Sequence, residues 1–361
     1  MWNENNAEQV TFQGYYGHKN YGDDLFCIIS KWGARKYWNV SCPTYIARRL
    51  PEMAGEYRKT FPDNQRYGGQ YRLKLITHLL KVQSIVFAGG SIFHGEEGWE
   101  RRYVYRFQKV RRFRMGAIGV SLGPYKTSRH QRQVNEVLKR LSFLVLRDKQ
   151  SYEEAMSYNL PYQPQLSFDL AGLLYAIYDD YAGSKPNPPI LGIIPCNNGT
   201  VSEKVDNSLA DVALKFSSQG VRIRLICMNS GYENDMKRVL KIAERLPGNT
   251  YDIVRYDRNP EVIWKAIVEC RAICSIRLHG GITACMGQVP FVQVEYHKKC
   301  GDFLDTVDWP EEYRLPTVVF SSSELSDRIE RALRFSGPYP VDTATLTELA
   351  AKNFTAIRNP K

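Results

Sequence analysis

Ser275-Ile276-Arg277-Leu278-His279-Gly280-Gly281 decides how this chain of 361 residues is read. Residues 272–276 form a short apolar run of the kind that makes a buried strand. The run empties at once into a cation, an apolar residue, an imidazole and two glycines. An apolar periodic segment at 282–286 then predicts a helix. That order predicts a ligand site at the carboxyl end of a strand in an open α/β sheet, facing a helix N-terminus. Arg277 offers a planar fork of five donors for a carboxylate or phosphate, and His279 a group that titrates near neutrality. Gly280 and Gly281 are expected to let backbone amides approach the anion.

Working outward, the length allows two ordinary domains and a substantial core. No run approaches the ~18 apolar residues of a membrane span. The start, Met1-Trp2-Asn3-Glu4-Asn5-Asn6, lacks the basic head and apolar stretch of a signal peptide. The expected location is therefore cytoplasmic, peripheral at the inner face of the membrane if basic residues draw it there. A net charge of +11 suits nucleic acid, an anionic lipid surface or phosphorylated substrates. Arg101, Arg102, Arg106, Lys109, Arg111, Arg112 and Arg114 cluster, with Tyr103, Tyr105, Phe107 and Phe113 between them. The plain reading is a solvated helix face whose aromatics pack inward. The sharper one is a patch for a membrane surface or an anionic acceptor. Nucleic acid ranks last, since no nucleic-acid motif accompanies the patch, and none is expected as a partner. The eight cysteines include no CxxC pair and read as small buried hydrophobes in a reducing compartment. Cys270, Cys274 and His279 can be imagined as metal ligands, but burial is the stronger reading and no metal is expected.

Residues 10–13 predict a first strand. It leads through Gly14-Tyr15-Tyr16-Gly17-His18-Lys19-Asn20-Tyr21-Gly22-Asp23-Asp24 into a helical segment at 25–32. A glycine-punctuated strand-to-helix turn is where a doubly wound sheet holds a phosphate or carboxylate, although this one is not GxGxxG. Strands are predicted at 38–42, 84–88 (ending in Gly89-Gly90-Ser91), 116–121 and 143–146, where Arg147-Asp148 stands at the mouth. Helices are predicted at 71–80 and 134–141, with another beginning near Ser151. Prolines and Gly183-Ser184-Lys185-Pro186-Asn187-Pro188-Pro189 mark a linker. A second series follows, with strands at 190–195, 221–228, 251–255, 272–276, 291–295 and 317–320. Its helices are predicted at 205–219, 233–246, 260–270, 323–335 and 343–353, the last two capped by Ser323 and Thr343. The predicted fold is α/β: two Rossmann-like domains facing a cleft. Residues 1–165 form the N-terminal domain and 166–189 the linker region. Residues 190–338 form the C-terminal domain, and 339–361 a C-terminal helix that packs back on the first.

Taken in order, these motifs resemble the polysaccharide pyruvyltransferase family. Gly17-His18-Lys19-Asn20-Tyr21-Gly22-Asp23-Asp24 is similar to the family's G-x-x-N-x-G-D-E pattern, with Asp24 where Glu is usual. Ala88-Gly89-Gly90-Ser91 stands where three glycines often precede the serine. Leu146-Arg147-Asp148-Lys149-Gln150-Ser151 is similar to R-D-x-x-S, and Asp169 follows at the expected distance. Arg277-Leu278-His279, followed by Ala284, Gly287, Val289-Pro290, Tyr296 and Lys298, is the most specific piece.

The resemblance implies a glycosyltransferase-B-like architecture, with residues 1–165 on the acceptor side and residues 190–338 binding the donor. It also implies transfer of pyruvate from phosphoenolpyruvate to hydroxyls of a polysaccharide or lipid-linked oligosaccharide precursor, with formation of a cyclic ketal and release of phosphate. Phosphoenolpyruvate is the donor substrate, and no cofactor is expected. Arg147 and Arg277, one from each half, would clamp its carboxylate and phosphate. Lys298 would help hold the phosphate, while His279, with an ordinary pKa of about 6.5, would carry protons. Asp23 or Asp24 would orient or deprotonate the acceptor. Leu278, Gly17, Asn20, Gly22, Gly89, Gly90 and Ser91 complete the expected binding set. The alternatives are a nucleotide-sugar-dependent glycosyltransferase and a non-catalytic glycan- or phosphate-binding protein of the same fold.

Overall fold

The computed structural model describes residues 10–178 and 185–356. The polar residues 1–6 and the Gly183-Ser184 start of the linker lie outside them. The chain divides into two compact units. The residues up to His18, Asp23–Leu173 and those from Leu346 onward make the first; Lys19–Gly22 and Leu174–Thr345 make the second.

The first unit carries seven strands: β1 (Val10–Gln13), β2 (Thr44–Tyr45), β3 (Arg58–Lys59), β4 (Ser84–Phe93), β5 (Arg114–Leu122), β6 (Phe143–Leu146) and β7 (Gln165–Leu166). Their order is β3-β2-β1-β4-β5-β6-β7, parallel throughout. The chain leaves β1 toward one edge and crosses back past it to β4, so the strand order reverses between these two. Helices α1 (Tyr21–Trp38), α2 (Gln70–Leu79), α3 (Trp99–Arg111), α4 (Ser128–Leu138) and α5 (Lys149–Met156) make the crossovers. Covered strands need apolar residues on both faces, which is why they read as runs rather than alternations. Leu75, Leu79, Val104, Val134 and Leu138 pack α2, α3 and α4 side by side on Ile85, Phe87, Met115 and Leu144.

The second unit runs α6 (Leu174–Tyr178), β8 (Ile190–Ile194), α7 (Glu203–Ser218), β9 (Arg222–Cys227), α8 (Met236–Ala243), β10 (Tyr251–Arg255) and α9 (Pro260–Val268). It continues through β11 (Ala272–Ser275), α10 (Leu278–Met286), β12 (Phe291–Val294), α11 (Lys298–Thr306), β13 (Arg314–Leu315) and α12 (Ser322–Leu333). The strand order is β10-β9-β8-β11-β12-β13, again parallel, and it reverses between β8 and β11. Asn259 caps α9 by accepting from the Glu261 amide at 3.1 Å, with Pro260 at the first helical position. Lys185, from the expected linker, donates to the Val268 and Cys270 carbonyls, each at 2.8 Å, which ties that end of the segment to this unit.

Helix α13 (Thr343–Thr355) joins the first unit from Leu346 on. The Trp38 indole donates to the Phe354 carbonyl at 2.9 Å, and Ser167 Oγ to the Leu349 carbonyl at 2.8 Å. A Cβ on Gly33 would stand 2.2 Å from the Phe354 ring, so only glycine admits the helix there.

Four expectations need correction. Residues 38–42 are not a strand: Trp38 ends α1, held by Phe354, and Asn39 turns the chain at φ 57° before β2. Tertiary packing overrides the β preference of the local residues. Residues 317–320 do not join the sheet. The last strand is β13, whose register is fixed where Arg314 meets Glu295 at 3.1 Å and Asp305 at 2.7 Å. The caps of α12 and α13 come earlier than Ser323 and Thr343. Ser321 accepts from the Glu324 amide at 3.1 Å, and Asp342 from the Ala344 amide at 3.1 Å. Gly280 and Gly281 lie inside α10, not in an open turn before it.

Candidate active site

The sheet of an α/β unit opens a crevice where its strand order reverses, because neighbouring crossovers leave to opposite sides there. In the first unit that point is the carboxyl end of β1 and β4. A cavity of about 650 Å³ lies there, lined among others by Gln13, Tyr16, Asp23, Arg48, Tyr71 and Ser91. Two features of the sequence shape it. The turn after β1 places Gly17 at φ 76°, where an added Cβ would meet the Arg49 carbonyl oxygen at 1.9 Å. Its amide donates to Asp24 Oδ1 at 2.6 Å, and Asp24 is fully buried. Gly89 and Gly90, at φ 75° and 83°, bend β4 where its register with β5 shifts, and a Cβ on Gly89 would collide with the Phe26 ring.

The two aspartates therefore separate. Asp24 locks the glycine turn from inside, while Asp23 lines the cavity beside Gly90. The Arg48 guanidinium lies 4.3 Å from the centre of the Tyr71 ring. His18 stacks on Tyr15 at 4.1 Å, and burial, helped by Arg48, pulls its pKa down. His94 also lines the cavity, and burial lowers its pKa, with Arg101 adding to the effect.

Arg147, at the mouth of β6, is a brace. Nε donates to Ser121 Oγ at 2.7 Å, Nη1 to Asp169 Oδ2 at 2.7 Å and Nη2 to Ser91 Oγ at 3.3 Å. Its side chain is 7% exposed and that of Asp169 is 6% exposed. The guanidinium holds the mouths of β4, β5 and β6 together and orients Ser91 into the cavity wall. Asp148 is not its partner. That carboxylate caps α5, accepting from the Ser151 amide at 2.8 Å. Asp169 also caps a turn, accepting from the Ala171 amide at 2.9 Å.

In the second unit the strand order reverses at the mouths of β8 and β11, and Arg277-Leu278-His279 stands there. Arg277 stands just before α10 without capping it through its side chain; Leu278 is the helix's first, buried residue. The fork of Arg277 closes on Asp235, with Nε to Oδ2 at 3.0 Å and Nη2 to Oδ1 at 2.6 Å. Glu233 Oε2 stands 2.6 Å from Nη2. Burial alone would lower the Arg277 pKa, but the Asp235 carboxylate overrides it and the net shift is upward. Asp235 is completely buried and also accepts from the amides of Asn197 at 2.8 Å and Asn229 at 3.0 Å. One carboxylate thus ties the loops after β8 and β9 to the mouth of β11. Burial pushes the nearby Cys196 thiol up to about 12, so it stays protonated at neutral pH.

Residues 19–22 are stitched into this unit. The Tyr21 amide donates to the Met228 carbonyl at 2.9 Å, and the Ser230 amide to the Lys19 carbonyl at 3.0 Å. Asn20 pairs with Asn229, Lys19 reaches Asp257 at 2.6 Å, and the Tyr21 hydroxyl lies 3.1 Å from Thr283 Oγ1. Gly22 then backs the half-buried His279: a Cβ there would come within 2.0 Å of Nδ1. The glycine seats the imidazole. Gly280 and Gly281 serve packing, since Cβ atoms on them would meet Ser275 Oγ at 2.2 Å and Gln293 Oε1 at 2.3 Å. Lys298 is exposed at the first position of α11.

Within the first unit, Gly17, Asp23 and Ser91 thus line one cavity, with Gly90 next to Asp23 and Arg147 behind Ser91. Within the second, Asn20, Gly22, Arg277, Leu278 and His279 share the β8/β11 mouth. Asp235 and Glu233 escaped the sequence reading because residues 233–246 read as one helix, whereas α8 begins at Met236. The signal that could have found Asp235 is an acidic residue ending a polar loop after the buried β9. Among the described residues, no group of three or more His, Cys, Asp or Glu is placed to hold a metal ion, and no helix is long and apolar enough to cross a membrane.

The sequence matches the family described as polysaccharide pyruvyl transferase over residues 20–298. No curated protein matches it. Among solved structures it is similar to the UDP-GlcNAc 2-epimerase of Neisseria meningitidis bound to UDP-GlcNAc, at 10% identity and TM-score 0.58, covering 97% of this chain and 99% of that one. The UDP-GlcNAc 2-epimerase of Methanocaldococcus jannaschii gives 9% identity and TM-score 0.59, covering 96% and 99%. HepE of Anabaena, in complex with UDP and glucose, gives 12% identity and TM-score 0.55, covering 97% and 94%. At such identities the likeness carries the fold alone: two parallel-sheet α/β domains of the glycosyltransferase-B-like class.

Proposed function

Because the chain belongs to the polysaccharide pyruvyl transferase family, we propose that it transfers pyruvate from phosphoenolpyruvate to two hydroxyls of a saccharide, forming a cyclic ketal. The observation that carries this reading is His279, seated against Gly22 at the start of α10 beside the fixed cation Arg277. Adding an alcohol to an enol phosphate needs a proton delivered to the methylene carbon and one taken from the attacking hydroxyl. His279 delivers the first, since an imidazole is the side chain most often used to pass protons in such steps. Asp23 takes the second, since it is the aspartate of the pair that lines the cavity. The first C–O bond leaves a phosphorylated ketal carbon. A second hydroxyl then attacks that carbon, its C–O bond to phosphate breaks, and phosphate leaves with the remaining proton.

The binding roles follow the chemistry of each unit. The first-unit cavity suits a saccharide, because Tyr71, Phe61 and Tyr16 offer ring faces while Asp23, Arg48 and Gln13 offer directional polar contacts. In the second unit the positive end of α10, Arg277 and Lys298 suit the donor's carboxylate and phosphate. Arg277 serves the donor through Nη1, since Nε and Nη2 already bind Asp235 and Glu233 and these carboxylates offset its charge. Arg147 contributes by orienting Ser91. The acceptor is a polysaccharide or a lipid-linked precursor.

The test is incubation with phosphoenolpyruvate and a panel of glycans, following phosphate release and a pyruvate-sized mass gain on the acceptor. His279→Ala is expected to lower turnover by about 10²–10⁴-fold without unfolding the protein. Full activity in that variant would remove the acid role. Thermal stabilisation by a UDP-sugar but not by phosphoenolpyruvate would instead point to a nucleotide-sugar enzyme.

A further inference from the structure

We propose that the outer face of α2 and α3 docks the protein onto an anionic lipid surface. The excess of 11 positive charges is not spread over the chain. Residues 70–83 and 101–114 hold ten Lys or Arg and no Asp or Glu, which leaves the rest of the sequence close to neutral. The structure brings the two segments together. Helices α2 and α3 are neighbours on one face of the first sheet, and Arg111 Nη2 donates to the Leu80 carbonyl at 2.8 Å where they end. Arg72, Lys81, Arg102, Arg106, Lys109 and Arg111 are all exposed there.

Three explanations compete for this surface. Helix C-termini favour cations, but that effect is confined to the last turn and Arg72, Arg102 and Arg106 lie outside it. An anionic substrate would need the charges at the cavity. Only Arg101 of these ten residues lines it; Arg72, Lys74 and Arg102 start their helices near the cavity but outside its lining, and Lys81, Lys109, Arg111, Arg112 and Arg114 lie toward the opposite end of the sheet, where the Arg114 amide meets the Gln83 carbonyl at 3.0 Å. A nucleic acid would be met by stacking aromatics. Here Tyr103 and Phe107 pack inward on the core. The exposed apolar residues among the cations are aliphatic: Val110 at 81%, Leu73 at 51% and Leu80 at 46% exposure. Cations that attract anionic headgroups, with short aliphatic side chains between them to enter the interface, fit a lipid surface.

The docking needs no substrate, so it stands or falls apart from pyruvyl transfer. The full chain is sedimented with vesicles of phosphatidylglycerol and phosphatidylcholine, with vesicles of phosphatidylcholine alone, and at about 1 M salt, where the Debye length shrinks to about 3 Å. Binding is expected to the anionic vesicles only and to vanish in salt. The double variant Arg106→Gln/Lys109→Gln is expected to bind them about 30-fold more weakly, at roughly fivefold per charge. Val110→Ser is expected to weaken binding about tenfold. An unchanged melting temperature in both variants separates lost docking from lost folding. Equal binding to neutral vesicles, no binding, undiminished binding by the variants, or tighter capture by a duplex oligonucleotide at the same salt would each overturn the proposal.

Discussion

Each unit places an arginine at a strand mouth and pairs it with a buried carboxylate, yet the two pairs are built differently. Arg147 meets Asp169 at one oxygen and spreads its other donors over two serine hydroxyls. Arg277 closes both oxygens of Asp235 in a fork, and the same carboxylate holds two loop amides. The first arrangement spreads the guanidinium over one carboxylate and two neutral hydroxyls. The second concentrates four hydrogen bonds on one charge with no freedom to move. The first unit is therefore braced through an arginine, the second through an aspartate.

Asp235→Ala should cost the most. It takes away the carboxylate that holds both Nε and Nη2 of a buried guanidinium, leaving only Glu233 at Nη2, and leaves two loop amides without an acceptor. A loss toward the upper end of about 3–5 kcal/mol is expected, read from urea unfolding. Asp169→Ala should cost nearer about 3 kcal/mol, because Ser91 and Ser121 still receive the guanidinium. If the two variants lose equal stability, the contrast between the pairs is wrong. Gly22→Ala probes the second unit without touching either ion pair. Its Cβ must displace the His279 ring, so turnover should fall by about 10²-fold with only about 1–3 kcal/mol of stability lost.

The smallest effect is one of pH. Burial lowers the pKa of His78, whose Nε2 lies 3.0 Å from Thr11 Oγ1 in the first unit. A histidine whose pKa is lower in the folded chain binds fewer protons there than when unfolded. Its contribution is thus fully present above the unfolded pKa of about 6.5 and lost as pH falls through the folded value. His18 and His94 add in the same sense. Stability should decline below about pH 6.5, and His78→Gln should flatten that decline. An unchanged slope in the variant would clear His78 of the effect.

Much of this was legible in the chain. Strands β1, β6 and β10 stand where their apolar runs lie, and the two βα series follow from alternation alone. Short buried strands announce themselves because both of their faces need apolar residues. What stayed hidden depends on partners remote in sequence. Trp38 and Asn39 look extended until Phe354 is known to hold the indole. Arg277 looks like an open fork until Asp235, 42 positions away, is found to fill it. Gly280 and Gly281 look like an amide cradle, but Ser275 and Gln293 are what forbid a side chain there. A residue type reveals what it can bond to, not whether that capacity is already used.

Helix α13 has a consequence for the order of synthesis. The first unit is interrupted: its sheet comes early in the chain, but the helix that fills the hollow beside Gly33 and Trp38 is made only after the whole of the second unit. On the ribosome the early sheet must therefore wait with an apolar face uncovered while some 170 residues emerge, on the order of ten seconds or more at the usual pace of translation. During that interval the uncovered face is a natural client for a chaperone. Moving the codons of α13 to the front of the gene by circular permutation would shorten the wait.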